Sequence, residues 1–410
     1  MKIAIIGAGP SGIALSFFLK DSKSDIWLFE KNSRIGEKLR LTGGGRMNLT
    51  NSNFGVEYFV SENKRTLSHM FKSEFFSDVP SLVDELGIKH KWENDRVISA
   101  SESAEREVDI FENRLRSQKN IKLMTGKEVL AIKKNGEGFD IEYGDSGYCS
   151  YDGQGGYDER FDVVVLATGG MVRMGESVDS SVIYKLANSL GHTITDIKPA
   201  LHPISIKDNP FRSLSGVSIK ASLKTDDGKH NHNGEILFTH SGISGPAVLN
   251  FSLIIESGQK FYLDFLPEYK QDEFSSTIKQ KRTGKIRLRA FLKDFLPLSV
   301  CDFHMQLVRA SKESNVADLT REQERKLLNN LFRFEIIFAG KSGYGSCWTT
   351  RGGIPLDEIN ISTMESKKVP GLYFAGEILD VSGECGGYNI SFALVSAKLV
   401  SEAILRKSSF

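Results

Sequence analysis

The sequence predicts an α/β fold, in which a parallel sheet is assembled from both ends of the chain and a mixed β/α segment is inserted between them. Three stretches carry that prediction. Residues from Lys2 form an apolar run ending in Gly7-x-Gly9-x-x-Gly12; Phe161 to Leu166, apolar except for Asp162, is a second run, ending in Ala167-Thr168-Gly169-Gly170; Leu372 to Ala375 is a third, ending in Gly376-Glu377. Continuous apolar runs of this length are what strands buried on both faces of a parallel sheet require.

The first run feeds a turn in which each glycine has a task. Gly7 turns the chain, Gly9 lets backbone approach a pyrophosphate, and Gly12 lets the next helix pack against the strand. Pro10 and Ser11 lie inside the turn, and Ile13 to Lys20 supplies the helix, whose free N–H groups and positive end suit an anion. Asp25 to Glu30 then reads as a second strand ending in an acid placed to accept ribose hydroxyls. Together these form a Rossmann-like dinucleotide-binding half.

The loop Lys38-Leu39-Arg40-Leu41-Thr42-Gly43-Gly44-Gly45-Arg46-Met47-Asn48 follows at the place where such a ligand would extend. Its consecutive glycines allow close backbone contact with a flat or anionic group; the alternative is a flexible surface loop with solvated charges. Helices are expected over Asp78 to Gly87 and Glu102 to Gln118, and strands over Ile121 to Met124, Glu128 to Lys133 and Phe139 to Tyr143. Gly144 to Asp158, with Gly153, Gly155 and Gly156, misses the glycine fingerprint and reads as a hairpin loop. A helix over Ser181 to Leu190 closes the N-terminal portion.

The pattern changes over 192–345, where strands at Gly216 to Leu223, Glu235 to Thr239 and Lys260 to Phe265 precede a helical block from Gln271 to Leu331. These residues are expected to form an inserted substrate-side domain, with 1–191 and 346–410 forming the dinucleotide domain. The basic run Lys279 to Arg289 is more economically a solvated helix face than a nucleic-acid patch. Near the end, Gly386-Gly387-Tyr388-Asn389 leads into an apolar helix from Ile390 to about Leu405. A second helix N-terminus facing the ligand would stabilise the charge of a reduced flavin.

Composition bounds the remaining options. The 410 residues allow two or three domains, and the net charge of +1 gives no global attraction to nucleic acid or an anionic membrane. The first strand begins at Lys2 and no unbroken apolar run reaches membrane-spanning length, so a soluble, cytoplasmic protein is expected. Cys149, Cys301, Cys347 and Cys385 form no Cys-x-x-Cys, which argues against a zinc site or a local redox pair.

These blocks, together with Gly234-Glu-Ile-Leu-Phe-Thr-His-Ser-Gly-Ile-Ser-Gly-Pro246 and Gly371-Leu-Tyr-Phe-Ala-Gly-Glu-Ile-Leu-Asp380, occur in one order along the chain. In that order they resemble the BaiN-like (YhiN-like) family of bacterial NAD(P)/FAD-dependent oxidoreductases, flavoproteins of the two-dinucleotide-binding type with a split FAD domain. Two positions depart from the family pattern: Met47 stands where a cysteine is usual, and Ser391-Phe392 replaces glutamine-tryptophan. The resemblance implies FAD, with Gly7, Gly9, Ser11 and Gly12 at the pyrophosphate and Glu30 at the adenosine ribose. It also implies Lys31 and Val129 near the adenine, and Gly43, Gly44, Arg46 and Asn48 near the ribityl and isoalloxazine. Glu377 would lie near the ribityl, and Gly387, Tyr388 and Asn389 at the pyrimidine edge. Pro10, Lys38, Thr42, Thr168, Gly169, Gly376 and Gly386 complete the expected contacts. Relatives of this type are mostly unassigned oxidoreductases; some are linked to reduction of conjugated carbon–carbon double bonds in steroid-like compounds, and others carry an amine-oxidase name.

A flavin carries the redox chemistry, so the chain need contribute only position, electrostatics and a proton. Arg46 suits either the cofactor or a substrate carboxylate or carbonyl. Tyr388 can donate a proton, stack on a ring, or simply pack. His240 and His202 are candidate proton donors, with a hydrogen-bonded structural histidine as the competing reading. Cys385 reads as a small packing residue. With no second GxGxxG, NAD(P)H is expected only as a transient reductant. The expected activity is hydride transfer between flavin N5 and a small organic substrate. The rivals are a flavoenzyme that modifies nucleic acid and a non-catalytic redox-sensing flavoprotein.

Overall fold

In the computed structural model, which describes residues 1–146, 157–172, 181–340 and 344–408, contacts divide the chain into two units. One comprises Met1–Pro199 with Thr349–Phe410, the other Ala200–Trp348. The first is built on β1 (Lys2–Ile6), followed by α1 (Pro10–Phe18) and β2 (Asp25–Glu30). The short β3 (Asn48–Asn51) lies outside the main sheet, whose other parallel strands are β4 (Ile121–Thr125), β5 (Val163–Leu166) and β6 (Leu372–Phe374). Their order is β6-β5-β1-β2-β4, every neighbouring pair parallel, with two short antiparallel strands beyond β6. Ile3, Ala4 and Ile5 of β1 and Val164, Val165 and Leu166 of β5 are wholly buried, which accounts for the unbroken apolar runs.

The chain enters β1 at the centre and then adds β2 on one side and β5 on the other. The crevice beyond the C-terminal ends of β1 and β5 is therefore a switch point, the place where open α/β sheets bind ligands. The C-terminal helix Tyr388–Ser408 begins two residues before its expected start and packs against α1 and β3. By length and composition it could cross a membrane, yet 78% of its most apolar window is buried in its own unit. Its hydrophobicity is that of a core helix. β3 also anchors a small sheet with His90–Glu93 and Arg96–Ser99, which the sequence reading did not anticipate.

The second unit contains a six-stranded antiparallel sheet covered by helices that include α2 (Gln271–Lys281) and α3 (Arg321–Phe332). Its core is phenylalanine-rich: Phe211, Phe238, Phe251, Phe261 and Phe265 are fully buried. The expected strands appear as Ser218–Thr225, Asn231–Phe238 and Lys260–Asp264; Ile204–Ser205, Gly242–Ser244 and Phe334–Ile337 were not anticipated. Two of the three missed strands are two and three residues long, too short to display an alternation. The expected hairpin around Gly144 to Asp158 has paired arms, Tyr143 opposite Tyr157, while Cys149, Gly153, Gly155 and Gly156 lie outside the described residues.

Candidate functional site

Three turns meet at the C-terminal edge of the parallel sheet. The Gly7–Gly12 turn leaves β1 with Gly7 at φ 104°, and a Cβ there would sit 2.5 Å from the Ala167 carbonyl oxygen at the end of β5. A Cβ at Gly12 would sit 1.9 Å from the Gly7 oxygen, so α1 packs directly on the turn. Gly376, at φ 76°, follows β6, and its Cβ would lie 2.1 Å from Ser11 Oγ. No side chain other than hydrogen fits at these positions without displacing backbone or its neighbour.

Other glycines border empty space. No atom lies within 4 Å of a Cβ built on Gly9, Gly44, Gly45 or Gly169. Among the polar side-chain atoms of the described residues that are buried without a hydrogen-bond partner are Thr168 Oγ1, beside Gly169, and Asn48 Oδ1, just after the Gly43–Gly45 loop. Buried polar atoms are almost always paired, so these two call for a group from outside the chain. Open space at Gly9 beside the α1 N-terminus, with Thr168 at the Gly7 turn and Asn48 Oδ1 farther along at Gly387, fits an extended, phosphate-bearing cofactor. The Gly376 N–H donates to Ser396 Oγ at 2.9 Å. Ser396 is eight residues beyond Tyr388, which puts that second helix N-terminus about 12 Å away at 1.5 Å per residue.

Several expected site residues bind one another. The Glu30 carboxylate accepts from the Ala8 N–H at 2.9 Å and from the Asn32 N–H and Nδ2 at 2.9 and 2.8 Å. Burial pushes its pKa up, against the two backbone donors. Glu30 thus clamps the glycine turn itself. Lys31 follows it, and Val129 lies buried in the neighbouring strand Lys127–Asn135. Lys38 is 2.6 Å from Glu377, whose other oxygen accepts from Thr349 Oγ1 at 2.7 Å and the Thr350 N–H at 2.9 Å. Burial opposes ionisation of Glu377, but Lys38 and these donors carry its carboxyl below the usual range. Thr42 donates its hydroxyl to the Leu39 carbonyl, and the Gly43 carbonyl accepts from the Arg46 N–H at 3.3 Å, while Gly43 and Gly44 are exposed.

The residues proposed for chemistry are more constrained than the sequence suggests. Arg46 is half-exposed and bound to Glu93 and Glu102, so its guanidinium already has carboxylate partners. Tyr388 is buried, stacks on Tyr58 at 4.7 Å and 14°, and donates its hydroxyl to the Asn53 carbonyl at 3.3 Å. Burial drives its ionisation well above the normal phenol range. Asn389 spends both side-chain atoms on Gly383, accepting from its N–H and donating to its carbonyl at 2.8 Å each. It shapes the helix start, and these two bonds use one of its two amide N–H groups. Gly386 and Gly387 pack tightly: a Cβ on Gly387 would be 2.8 Å from Thr50. Burial pushes Cys385 up to about 12, which keeps it a thiol, as a packing residue would be.

His240 is exposed and belongs to the other unit. His202, in that unit too, is buried with Nδ1 2.9 Å from the Pro203 carbonyl, and burial lowers its pKa. Sequence reasoning missed Thr349 and Thr350, which hold Glu377; a Cβ on Gly170 would lie 1.9 Å from Thr350 Oγ1. The small-residue string Thr349-Thr350-Arg351-Gly352-Gly353 was the available signal.

The HI0933-like protein Rossmann domain family matches residues 1–403. A protein of Clostridium scindens named 3-dehydro-bile acid delta(4,6)-reductase is 29% identical, the alignment covering 98% of each chain. A Haemophilus influenzae protein named ribosomal RNA dihydrouridine synthase is 28% identical, again over 98% of both. Among solved structures, 3-ketosteroid delta1-dehydrogenase from Sterolibacterium denitrificans is similar at a TM-score of 0.46 and 11% identity, over 99% of each chain. So distant a likeness speaks to neither ligand nor activity.

Proposed function

Because the chain belongs to the HI0933-like protein Rossmann domain family, we propose that it is an FAD-dependent oxidoreductase acting on an activated carbon–carbon double bond. The observation that carries this is the meeting of three strand-end turns around open glycine floors, with Thr168 Oγ1 and Asn48 Oδ1 unpaired. Bound FAD supplies hydride transfer at its N5. The backbone of Gly7 to Gly12 and the N-terminus of α1 would hold its pyrophosphate. Glu30 holds the turn in shape and has lone pairs left for a ribose hydroxyl. The N-terminus of the C-terminal helix, fixed by the Asn389 clamp on Gly383, would stabilise negative charge on the reduced ring. Tyr388 positions that helix start through its stacking and its bond to Asn53, and burial keeps its hydroxyl protonated.

The names of the Clostridium and Haemophilus relatives support the substrate class: a bile-acid delta(4,6) system and a uracil ring both present a double bond conjugated to a carbonyl. The second name favours a further reading, in which the acceptor ring is carried by RNA. NADH or NADPH would serve as a transient reductant.

Gly9→Val tests the cofactor site with little ambiguity. Gly9 has φ −81° and no atom within 4 Å of an added Cβ, so a side chain there grows into the space a ligand would fill. The variant should fold with the Tm of the FAD-free parent and lose FAD on gel filtration. Retention of flavin absorbance would overturn the assignment.

A further inference from the structure

The basic run Lys279 to Arg289 is not a uniform charged face. Arg282 pairs with Glu324 at 2.7 Å, Arg289 with Asp302 at 2.6 Å, and Arg287 with Glu313. Its arginines are thus largely neutralised. What stands out is a cleft of about 550 Å³ between α2 and α3, lined by one stripe from each helix.

The stripes follow from helical spacing. On α2, Phe274 and Ile278 are buried, which leaves Ser275, Lys279 and Arg282 along the adjoining edge at i, i+4 and i+7. On α3, Leu327 and Leu331 are buried, and Arg321, Glu324, Arg325 and Leu328 share the edge that faces them. The one carboxylate in the cleft is already committed: Glu324 accepts from Arg282 at 2.7 Å and from Ser275 Oγ at 3.5 Å. Among the described residues, Lys279, Arg321 and Arg325 form no ion pair. Arg321 also opens α3, whose positive end adds to the field. All three are exposed and line the same cleft, so a multiply charged anion seated there would be attracted by each of them.

We propose that this cleft binds a phosphate-bearing ligand, with Lys279, Arg321 and Arg325 taking its oxygens. Guanidinium forks match phosphate in bidentate fashion, lysine adds a point charge, and the volume lies within the range of small-ligand sites. The anion can come from a small phosphorylated metabolite or from a phosphodiester backbone, and two probes separate these sources.

The test titrates the full-length, FAD-saturated protein with inorganic tripolyphosphate and, separately, with a short uridine oligonucleotide. At least one should bind saturably. The triple variant K279Q/R321Q/R325Q should weaken that binding at least tenfold with a Tm little changed, since all three side chains are exposed. Lys281→Gln and Lys285→Gln, exposed but outside the cleft, should leave the affinity within twofold. Tighter tripolyphosphate binding assigns a small ligand; tighter oligonucleotide binding with a steep salt dependence assigns a backbone. No saturable binding of either probe at low salt would overturn the proposal, as would equal binding by the triple variant or equal loss in the two controls.

Discussion

At the residue scale, the most informative side chains are those whose partners are fixed. Glu30 clamps Ala8 and Asn32 while lying beside the expected ribose position. Glu30→Ala should weaken FAD binding by about 1–3 kcal/mol, the usual loss when a charged acceptor is removed. Titration of the apoprotein with FAD measures this, and an unchanged Kd would remove Glu30 from the site. His304 is fully buried among Phe265 and Phe303, with both ring nitrogens unpartnered and its pKa pushed down by burial to about 3. The unfolded chain binds a proton there from about pH 6.5 downward while the folded one does not. Stability is therefore fully present above about pH 6.5 and is lost progressively as the pH falls toward 3. His304→Leu should raise Tm and flatten that acid limb; a pH profile parallel to the parent's would contradict the account.

Elements explain why separated residues converge. Gly376 at the end of β6 meets Ser11 at the start of α1, and its N–H is held by Ser396 of the C-terminal helix. Gly376→Ala places a methyl against Ser11 Oγ in left-handed backbone and should cost about 1–3 kcal/mol. Adding Ser11→Ala should recover part of that cost, the part due to the clash, while the backbone strain stays. Additive losses in denaturant unfolding would show that the two turns do not touch. The turns themselves were legible in the sequence because glycine spacing and apolar runs are local signals. The partners of Lys38, Arg46 and Asn389 were not: Glu377, Glu93 and Gly383 are chosen by the tertiary fold, which no local pattern encodes.

For the molecule as a whole, the division into two units matters most. The parallel sheet draws β6 and the C-terminal helix back to β1 across the inserted residues, and family motifs made that return visible. The inserted unit was legible as strands and helices, but its shortest strands and its cleft were not, because the cleft depends on which edges of α2 and α3 face each other. The central claim is that the chain passes electrons through FAD to an activated double bond. Its most direct measurement is anaerobic: the flavin of the purified protein is reduced with NADPH, NADH or dithionite, then mixed with a conjugated enone such as a 3-oxo-4,6-diene steroid. The account predicts recovery of the oxidised flavin spectrum together with a saturated carbon–carbon bond in the product. A flavin that stays reduced with every conjugated acceptor offered, uracil-containing RNA included, would contradict it and leave a flavoprotein without this chemistry.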